Sequence, residues 1–283
     1  MNKLFLLIIF SLTSCFYNIN SNLKSPNIRV LKNNSIINLP LEKYVAHVLA
    51  GEVAHNWPLD ALKAQAVAIR TYALKRMSEN KKKNFDVKAT IHDQVFKKNT
   101  HAIFIEVAKL TNALVLKHEN SLVESSFHST CGGHTASAQS VWGRNYSYLN
   151  SHTCGYCEKS PTYNWNTSIA LSELSKKLGF SVKSVQIGQK NTDERVKNFV
   201  IKGQKTISLT GQDFRMKISP MAIKSTYITS LSIKNDQLHI GGHGFGHAVG
   251  MCQYGALGMA KAGKNFKEIL SHYYPQTSLV KVY

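Results

Sequence analysis

The spacing of hydrophobic and polar residues changes early in the chain. The segment IRVLKNNSIINLPLEKY alternates on both sides of Asn33-Asn34, which predicts a short β-hairpin. From Leu41, apolar residues recur at i+3, i+4, i+7 and i+8, which predicts one face of a helix. The residues 56–58, Asn-Trp-Pro, end that helix and begin a second. The many alanines of this second helix predict close packing against another element.

The later segments contain both the alternation that is typical of strands and the spacing that is typical of helices. A helix that leads into a strand is predicted for HAIFIEVAKLTNALVL. A strand and a Gly-rich loop are predicted for SLVESSFHSTCGGHTASAQSVWG, and a short helix ending at Gly179 is predicted for LSELSKKLGF. RVKNFVIKGQKTISLTG and TYITSLSIKNDQLHIGG predict hairpins that turn at Gly203 and at Asn235-Asp236. GGHGFGHAVGMCQYGALG predicts a loop, followed by a helix through FKEILSHYY. This mixture without regular βαβ alternation predicts an α+β fold: one mixed domain with an N-terminal helical segment, several antiparallel hairpins and a C-terminal helix.

Glu52 stands at the end of the first predicted helix. At 100° per residue it lies about 20° around the helix from Leu41, on the apolar face, provided that the helix continues so far. Burial there would raise the pKa of the carboxyl group, as a general acid near neutral pH requires. The alternative is a helix that ends at Gly51 and leaves Glu52 in solvent. Periodicity alone leaves both alternatives open.

Residues 1–15 have the layout of an export signal. Lys3 precedes the apolar core LFLLIIF, and LTSC ends at Cys15 like a bacterial lipobox. We therefore expect an exported cell-envelope lipoprotein that is anchored to a membrane through Cys15; an ordinary signal peptide with a chance cysteine is the alternative. The apolar core is too short to span a membrane. Residues 16–27, rich in Asn and Ser, predict a tether, and residues 28–283 form the remaining domain.

Charge becomes informative once export is expected. Of the 283 residues 43% are hydrophobic, which is typical of a globular protein, and the formal net charge is +19. In the cytoplasm such a charge would suggest nucleic acid, but no nucleic-acid-binding motif accompanies it. We therefore expect no nucleic-acid partner. The polyanions available to an exported protein are polymers of the cell wall and the membrane surface.

The cysteines that follow Cys15 suggest a metal site. CGYC has the spacing of zinc ligands, and HSTCGGH offers a further Cys and His upstream. The candidate ligands of a closed, structural zinc site are Cys131, His134, Cys154 and Cys157. Disulfides are the alternative in an exported protein, and a bridge within CGYC would leave Cys131 and Cys252 to pair or to stay free.

Several stretches, in order, resemble the stage II sporulation protein D (SpoIID/LytB) family. PLEKYVAHVLAGE matches its P-L-E-x-Y-x-x-x-V-x-x-x-E pattern, and PLDALKAQAVAIRTY matches its P-x-E-A-L-K-A-Q-A-V-A-x-R-T-Y segment. FHSTCGGHT, Phe214-Arg215, IKSTY and GHGFGHAVGMCQYGALGMA follow, so the resemblance runs from about residue 27 to the C-terminus. The chain departs from the family pattern with Cys252 for a common Ser, Asp60 for Glu, and Asp193-Glu194-Arg195 for S-G-R.

The resemblance implies a lytic transglycosylase of bacterial peptidoglycan. Glu52 would be the general acid/base that cleaves the MurNAc–GlcNAc bond and leaves a 1,6-anhydro-MurNAc end. This chemistry requires no cofactor, and zinc is implied for only part of the family. The family is associated with glycan strands from which an amidase has removed the stem peptides; their free lactyl carboxylates would suit a basic protein. The cleft residues that the resemblance implies are His128, Thr130, His247, Gln253 and Tyr254.

Three other functions are compatible with parts of the sequence. The first is a non-catalytic, wall-binding enhancer of an N-acetylmuramoyl-L-alanine amidase, for which Glu52 would be dispensable. The second is a zinc amidase or peptidase, which we disfavour because cysteine-rich closed sites are usually structural. The third is a plain carbohydrate-binding module, for which the chain is long.

Overall fold

The computed structural model describes residues 25–90 and 93–283, with 31% of the residues in helices and 31% in strands. The predicted α+β class is confirmed. The predicted export signal, Cys15 and the predicted tether up to residue 24 lie outside the described residues. Every helix within the described ranges is too short or too polar to cross a membrane.

The N-terminal segment forms the first hydrophobic core. Its elements are β1 (Asn27–Lys32), β2 (Ser35–Pro40), α1 (Leu41–Glu52), α2 (Leu59–Glu79), β3 (Val87–Lys88) and α3 (Ala102–Leu110). The predicted hairpin β1–β2 is confirmed, with Asn33 and Asn34 both at positive φ, as a tight two-residue turn requires. Helix α1 is confirmed as well, and Glu52 is its last residue. The alanine-rich helix α2 packs on α1 and α3.

The next segment packs against helix α2 of the first core. Its elements are β4 (Leu114–His118), β5 (Ser121–Leu122), β6 (Phe127–His128) and α4 (Ala138–Trp142). The predicted helix-to-strand passage is confirmed by α3 and β4. The guanidinium group of Arg70, fully buried in α2, lies 2.6 Å from the carboxylate of Glu42 in α1 and donates to the carbonyl of Leu114. This buried ion pair fastens α1, α2 and β4 together.

Two antiparallel sheets form a separate core. Their elements are β7 (Asn164–Ala170), α5 (Leu171–Leu178), β8 (Val182–Lys190), β9 (Val196–Gly203), β10 (Thr206–Thr210), α6 (Gly211–Ile218), β11 (Tyr227–Lys234) and β12 (Gln237–His243). The strand orders are β10-β9-β8 and β11-β12-β7. Both predicted hairpins, β9–β10 and β11–β12, are confirmed, and so is the end of α5, where Gly179 caps the helix after Leu178.

The C-terminal segment returns to the first half of the chain. Its elements are β13 (Met251–Cys252), α7 (Gln253–Lys261), α8 (Phe266–Tyr273) and β14 (Ser278–Lys281). Strand β13 pairs in parallel with β6, and β14 pairs with β4. The predicted helix α8 is confirmed. The predicted loop, however, was wrong from Gln253 onward, where α7 begins. Gly255 and Gly258 serve packing there, because a Cβ would lie 1.9 Å from the Tyr273 hydroxyl and 2.1 Å from the Tyr156 carbonyl.

Candidate active site

The carboxyl group of Glu52 lies between two segments that are distant in sequence. The side chain is half-buried at the C-terminal end of α1. The amide of Val95 donates to Oε1 at 2.8 Å, and Nε2 of Gln253 donates to Oε2 at 3.2 Å. The alternative in which Glu52 points freely into solvent is therefore not what the structure shows. Val95 is a partner that the sequence interpretation missed, since nothing local to Glu52 indicates it.

Burial and hydrogen bonding act on Glu52 in opposite directions. Removal from water raises the pKa of the carboxyl group, while the donors of Val95 and Gln253 stabilise the anion and oppose that rise. Within the described residues, no second carboxylate is among the groups that shift the pKa of Glu52. Burial thus favours the protonated form of Glu52, and the two donors support the anion once the proton has left.

Gly51 makes the approach of Val95 possible. A Cβ at this position would lie 2.1 Å from the carbonyl oxygen of Val95, far inside the closest contact that real Cβ atoms make. The glycine therefore lets the segment around Val95 lie directly against the end of α1. That close approach is what brings the Val95 amide within reach of Glu52.

The other side of the carboxyl group is formed by the start of α7. Gln253 follows β13 directly, and the amide of Tyr254 donates to the carbonyl of Ser129 at 3.0 Å. The ring of Tyr254 meets the edge of Trp57 at a centroid distance of 5.4 Å. Both rings are partly exposed. Aromatic side chains commonly line ligand-binding sites, and Trp57 is a residue that the sequence interpretation did not single out.

His128 and His247 form a second group beside this one. Their ring centroids are 5.5 Å apart. Nδ1 of His247 accepts from the amide of Val249 at 3.1 Å, and Nδ1 of His128 lies 3.2 Å from the carbonyl of Val249. Burial lowers the pKa of both rings, and that of His247, which also lies near the Arg215 charge, falls to about 4. Both rings are therefore neutral near pH 7 and fasten the loop before β13.

Thr130 belongs to a buried hydroxyl network. Its Oγ1 lies 2.6 Å from Oγ of Ser160 and 3.1 Å from Oγ1 of Thr162. Only 1% of the residue is exposed. The structure thus places Glu52, Gln253 and Tyr254 together, His128 and His247 as a neighbouring pair, and the Thr130 side chain in an internal network rather than at an open surface.

The cysteines also converge, with one difference from the predicted set. One sulfur atom from each of four buried residues lies within 4.8 Å of all the others, and the four are Cys131, Cys154, Cys157 and Cys252. His134 is exposed instead, and its Nε2 lies 3.0 Å from Oγ1 of Thr153. Cys252 thus occupies the place that the sequence interpretation gave to His134. The reason is the β6–β13 pairing, which brings residue 252 beside the loop of Cys131.

Two open surface hollows, of about 310 and 430 Å³, lie elsewhere. Residues of β7, β11 and β12 line the first, and Arg76 and Asp93 are among the residues that line the second. Neither includes Glu52 or Gln253. The candidate site is therefore identified by its chemistry and not by the size of a cavity.

Comparisons with known proteins agree with the resemblance in sequence. The family model described as SpoIID, stage II sporulation protein, matches residues 31–118. An uncharacterized protein of Brachyspira hyodysenteriae is 36% identical over 86% of this chain and 67% of its own length. Stage II sporulation protein D of Bacillus amyloliquefaciens is 33% identical over 86% of this chain and 74% of its own length. The amidase enhancer of Bacillus subtilis is 28% identical over 82% of this chain and 39% of its own length.

Proposed function

The chain belongs to the stage II sporulation protein D family, and from this membership and the surroundings of Glu52 we propose that it is a peptidoglycan lytic transglycosylase. It cleaves the MurNAc–GlcNAc bond of glycan strands and leaves 1,6-anhydro-MurNAc ends. The observation that carries the proposal is a half-buried carboxyl group with a raised pKa, held by one backbone amide and one side-chain amide.

The proposed reaction needs one carboxyl group in two successive roles. Glu52 first gives its proton to the glycosidic oxygen, and the bond between that oxygen and C1 of MurNAc breaks. Glu52, now a carboxylate, then takes the proton of the C6 hydroxyl as O6 forms a bond to C1. Atoms and protons balance without water, and the carboxyl group is regenerated. The raised pKa supports the first role, and the donors of Val95 and Gln253 support the anion between the two steps.

The surroundings of Glu52, as far as the described residues show them, fit this reaction better than hydrolysis. Ordinary glycosidases use two carboxyl groups, the second as a nucleophile or as the base that activates water. Among the described residues, the groups that shift the pKa of Glu52 include no such partner. In a transglycosylase the C6 hydroxyl of the substrate replaces the second group.

The charge of the protein suggests which strands it prefers. Removal of the stem peptides leaves a free lactyl carboxylate on each MurNAc, so a denuded strand is a regularly spaced polyanion. A net charge of +19 favours such a strand over a peptide-bearing one. Cleavage of intact and denuded wall at equal rates, without any dependence on salt, would argue against this preference. Export and a lipid anchor at Cys15 would bring the domain to this substrate.

The test is mass spectrometry of the fragments released from amidase-treated peptidoglycan. The purified protein should produce anhydro-muramic ends, and Glu52→Gln should produce none. Glu106→Gln, at an exposed position of α3, is the matched control and should retain full activity. Reducing ends in place of anhydro ends would identify a hydrolase and refute the proposed reaction.

A second candidate function is supported by the similarity to a protein named amidase enhancer. In this role the chain binds the wall and stimulates an N-acetylmuramoyl-L-alanine amidase without cleaving glycan. The same two variants separate the candidates. Stimulation of an added amidase that survives in Glu52→Gln, with no glycan cleavage by the unmodified protein, would favour the enhancer.

A further inference from the structure

We propose that Cys131, Cys154, Cys157 and Cys252 bind one zinc ion, which holds the start of α7, with Gln253, against the segment that follows β6, with His128. The ion is structural and takes no part in the reaction. The proposal does not depend on the activity proposed above, because it follows from four side chains that the proposed chemistry leaves unused.

The positions of the sulfur atoms suit a single ion. All four lie within 4.8 Å of one another, and those of Cys131 and Cys157 are 3.5 Å apart. With Zn–S bonds of about 2.3 Å, the corners of a regular tetrahedron are about 3.8 Å apart. Shifts of about 1 Å or less therefore complete the site. Disulfides join sulfur atoms in pairs at about 2.05 Å and give no reason for two pairs to converge on one point.

The backbone around Cys252 is arranged for a thiolate. The residue has no exposed surface, and its Sγ accepts from the amides of Gly255 at 3.2 Å and of Cys131 at 3.3 Å. The Tyr273 hydroxyl lies 3.1 Å from Sγ of Cys154. Donors directed at ligand atoms are the usual second shell of a metal site. A buried thiolate without a metal would be costly, because its charge would be uncompensated.

A buried cation beside the cluster supports the same conclusion. Arg195 is 1% exposed, and its Nη2 donates to the carbonyls of Cys131 at 2.5 Å and His134 at 2.8 Å. Its Nη1 has no hydrogen-bond partner among the described residues, and the carboxylate of Asp193 lies 3.8 Å from Nε. Four thiolates around Zn²⁺ carry a net charge of −2. An arginine at this place offsets part of that charge, in addition to the charge of Asp193.

The ion would act on the candidate active site through the chain. Cys252 immediately precedes Gln253, whose amide contacts Glu52. Cys131 follows the segment that carries His128, and the CGYC turn supplies the two remaining ligands. A site with four protein ligands has no open position for water or substrate. This set therefore disfavours a zinc amidase or peptidase and assigns the metal a positioning role.

The test begins with the full, unmodified chain, purified without chelators. We expect elemental analysis to give one zinc per chain, and X-ray absorption at the zinc edge to show only sulfur neighbours at about 2.3 Å. Cys252→Ser should lose most of the metal. His134→Ala is the matched control and should retain it, since His134 is the ligand that the spacing of the sequence alone would suggest.

Four results would overturn the proposal. One is a nitrogen neighbour of the zinc together with metal loss in His134→Ala. Another is zinc retained at full occupancy in Cys252→Ser. The third is a metal-free chain in which at most one thiol, that of Cys15, can be titrated in denaturant without reductant, which would identify disulfides among the other four cysteines. If a cysteine variant does not fold, X-ray absorption and thiol titration of the unmodified chain still distinguish a zinc site from disulfides. A zinc-free chain that produces anhydro ends would refute the metal site and leave the proposed function intact.

Discussion

Replacement of Gly51 by alanine should damage the candidate site, although it changes neither the acid nor a substrate contact. The added Cβ would lie 2.1 Å from the carbonyl oxygen of Val95 and 2.8 Å from its carbonyl carbon, whereas real Cβ contacts essentially never fall below 3.0 Å. The obstacle is backbone and cannot rotate away. The segment around Val95 therefore has to move from the end of α1 by about 1 Å.

That movement removes one of the two donors of Glu52. The Val95 amide now lies 2.8 Å from Oε1, and a shift of about 1 Å takes it outside the range of ordinary hydrogen bonds. Misplacement on this scale can cost about 100-fold in rate, and overpacking costs about 1–3 kcal/mol in the free energy of unfolding. Because the amide stabilises the carboxylate, its loss raises the pKa of Glu52 further. The reaction starts from protonated Glu52, so the alkaline limb of the pH–rate profile should move to higher pH.

The assay is the release of anhydro-muramic fragments as a function of pH, with urea unfolding of the same samples. Gly211→Ala is the control, because its Cβ would meet the carbonyl oxygen of Val196 at 2.2 Å at the start of α6, in the other core. It should lose comparable stability and keep the pH profile. A Gly51→Ala protein with unchanged rate and unchanged alkaline limb would refute the argument, as would an equal shift of the limb in both variants.

Three further predictions concern other contacts. Gln253→Ala removes the second donor of Glu52, so we expect a rate loss of about 10- to 100-fold and an alkaline limb at higher pH; a pH–rate profile with an unmoved limb would contradict this. Arg70→Ala removes the ion-pair partner of Glu42 and should lower the free energy of unfolding, measured in urea, by about 3–5 kcal/mol. The double variant Arg70→Ala with Glu42→Gln should recover part of this loss. No recovery would show that the charge of Glu42 is not the cause. His247 is neutral in the folded protein, with its pKa lowered to about 4, but is protonated below pH 6.5 when unfolded. The free energy of unfolding should therefore fall as the pH drops from 6.5 toward 4, by up to about 3 kcal/mol, and His247→Asn should remove this part of the dependence in urea titrations at neutral and acid pH.

The local elements were predictable because their signals are local. Asn33-Asn34 and Asn235-Asp236 adopt positive φ in two-residue turns, a conformation that these residue types tolerate, and the flanking alternation then sets the hairpins. Helix α7 was missed for the opposite reason. Its glycines at 255 and 258 resemble loop signals in sequence, but they are required by the close approach of Tyr273 and Tyr156, which no local pattern reveals.

The candidate site depends on contacts over long stretches of chain. Periodicity alone left open whether Glu52 lies on the apolar face of α1 or points into solvent. Its partners could not be expected from periodicity, because Val95 and Gln253 lie 43 and 201 residues further along the sequence. The same limit applies to the cysteines: spacing favoured His134, which is near in sequence, whereas strand pairing brings Cys252 across 121 residues to Cys131.

The segment Asp193-Glu194-Arg195 departs from the family pattern in sequence but keeps a turn that suits that pattern. Glu194 has φ +63, a left-handed conformation that favours glycine, and glycine is the residue that the family commonly has there. The third position remains an arginine, which donates to the carbonyls of Cys131 and His134. The glutamate at position 194 thus strains the turn, but the turn still places Arg195 against the carbonyls of Cys131 and His134.

The two donors of Glu52 are positioned by unrelated parts of the fold but act on one carboxyl group. Val95 depends on the space left by Gly51, whereas Gln253 depends on the start of α7 beside the cysteine cluster. Substitutions that share a partner do not add in free energy, whereas distant ones do. The combination of Gly51→Ala with Gln253→Ala should therefore lose less activity than the product of the single losses, while Gly211→Ala with Gln253→Ala should give that product. Strict additivity in the first pair, measured as fragment release at one pH, would mean that the two donors do not act through the same acid.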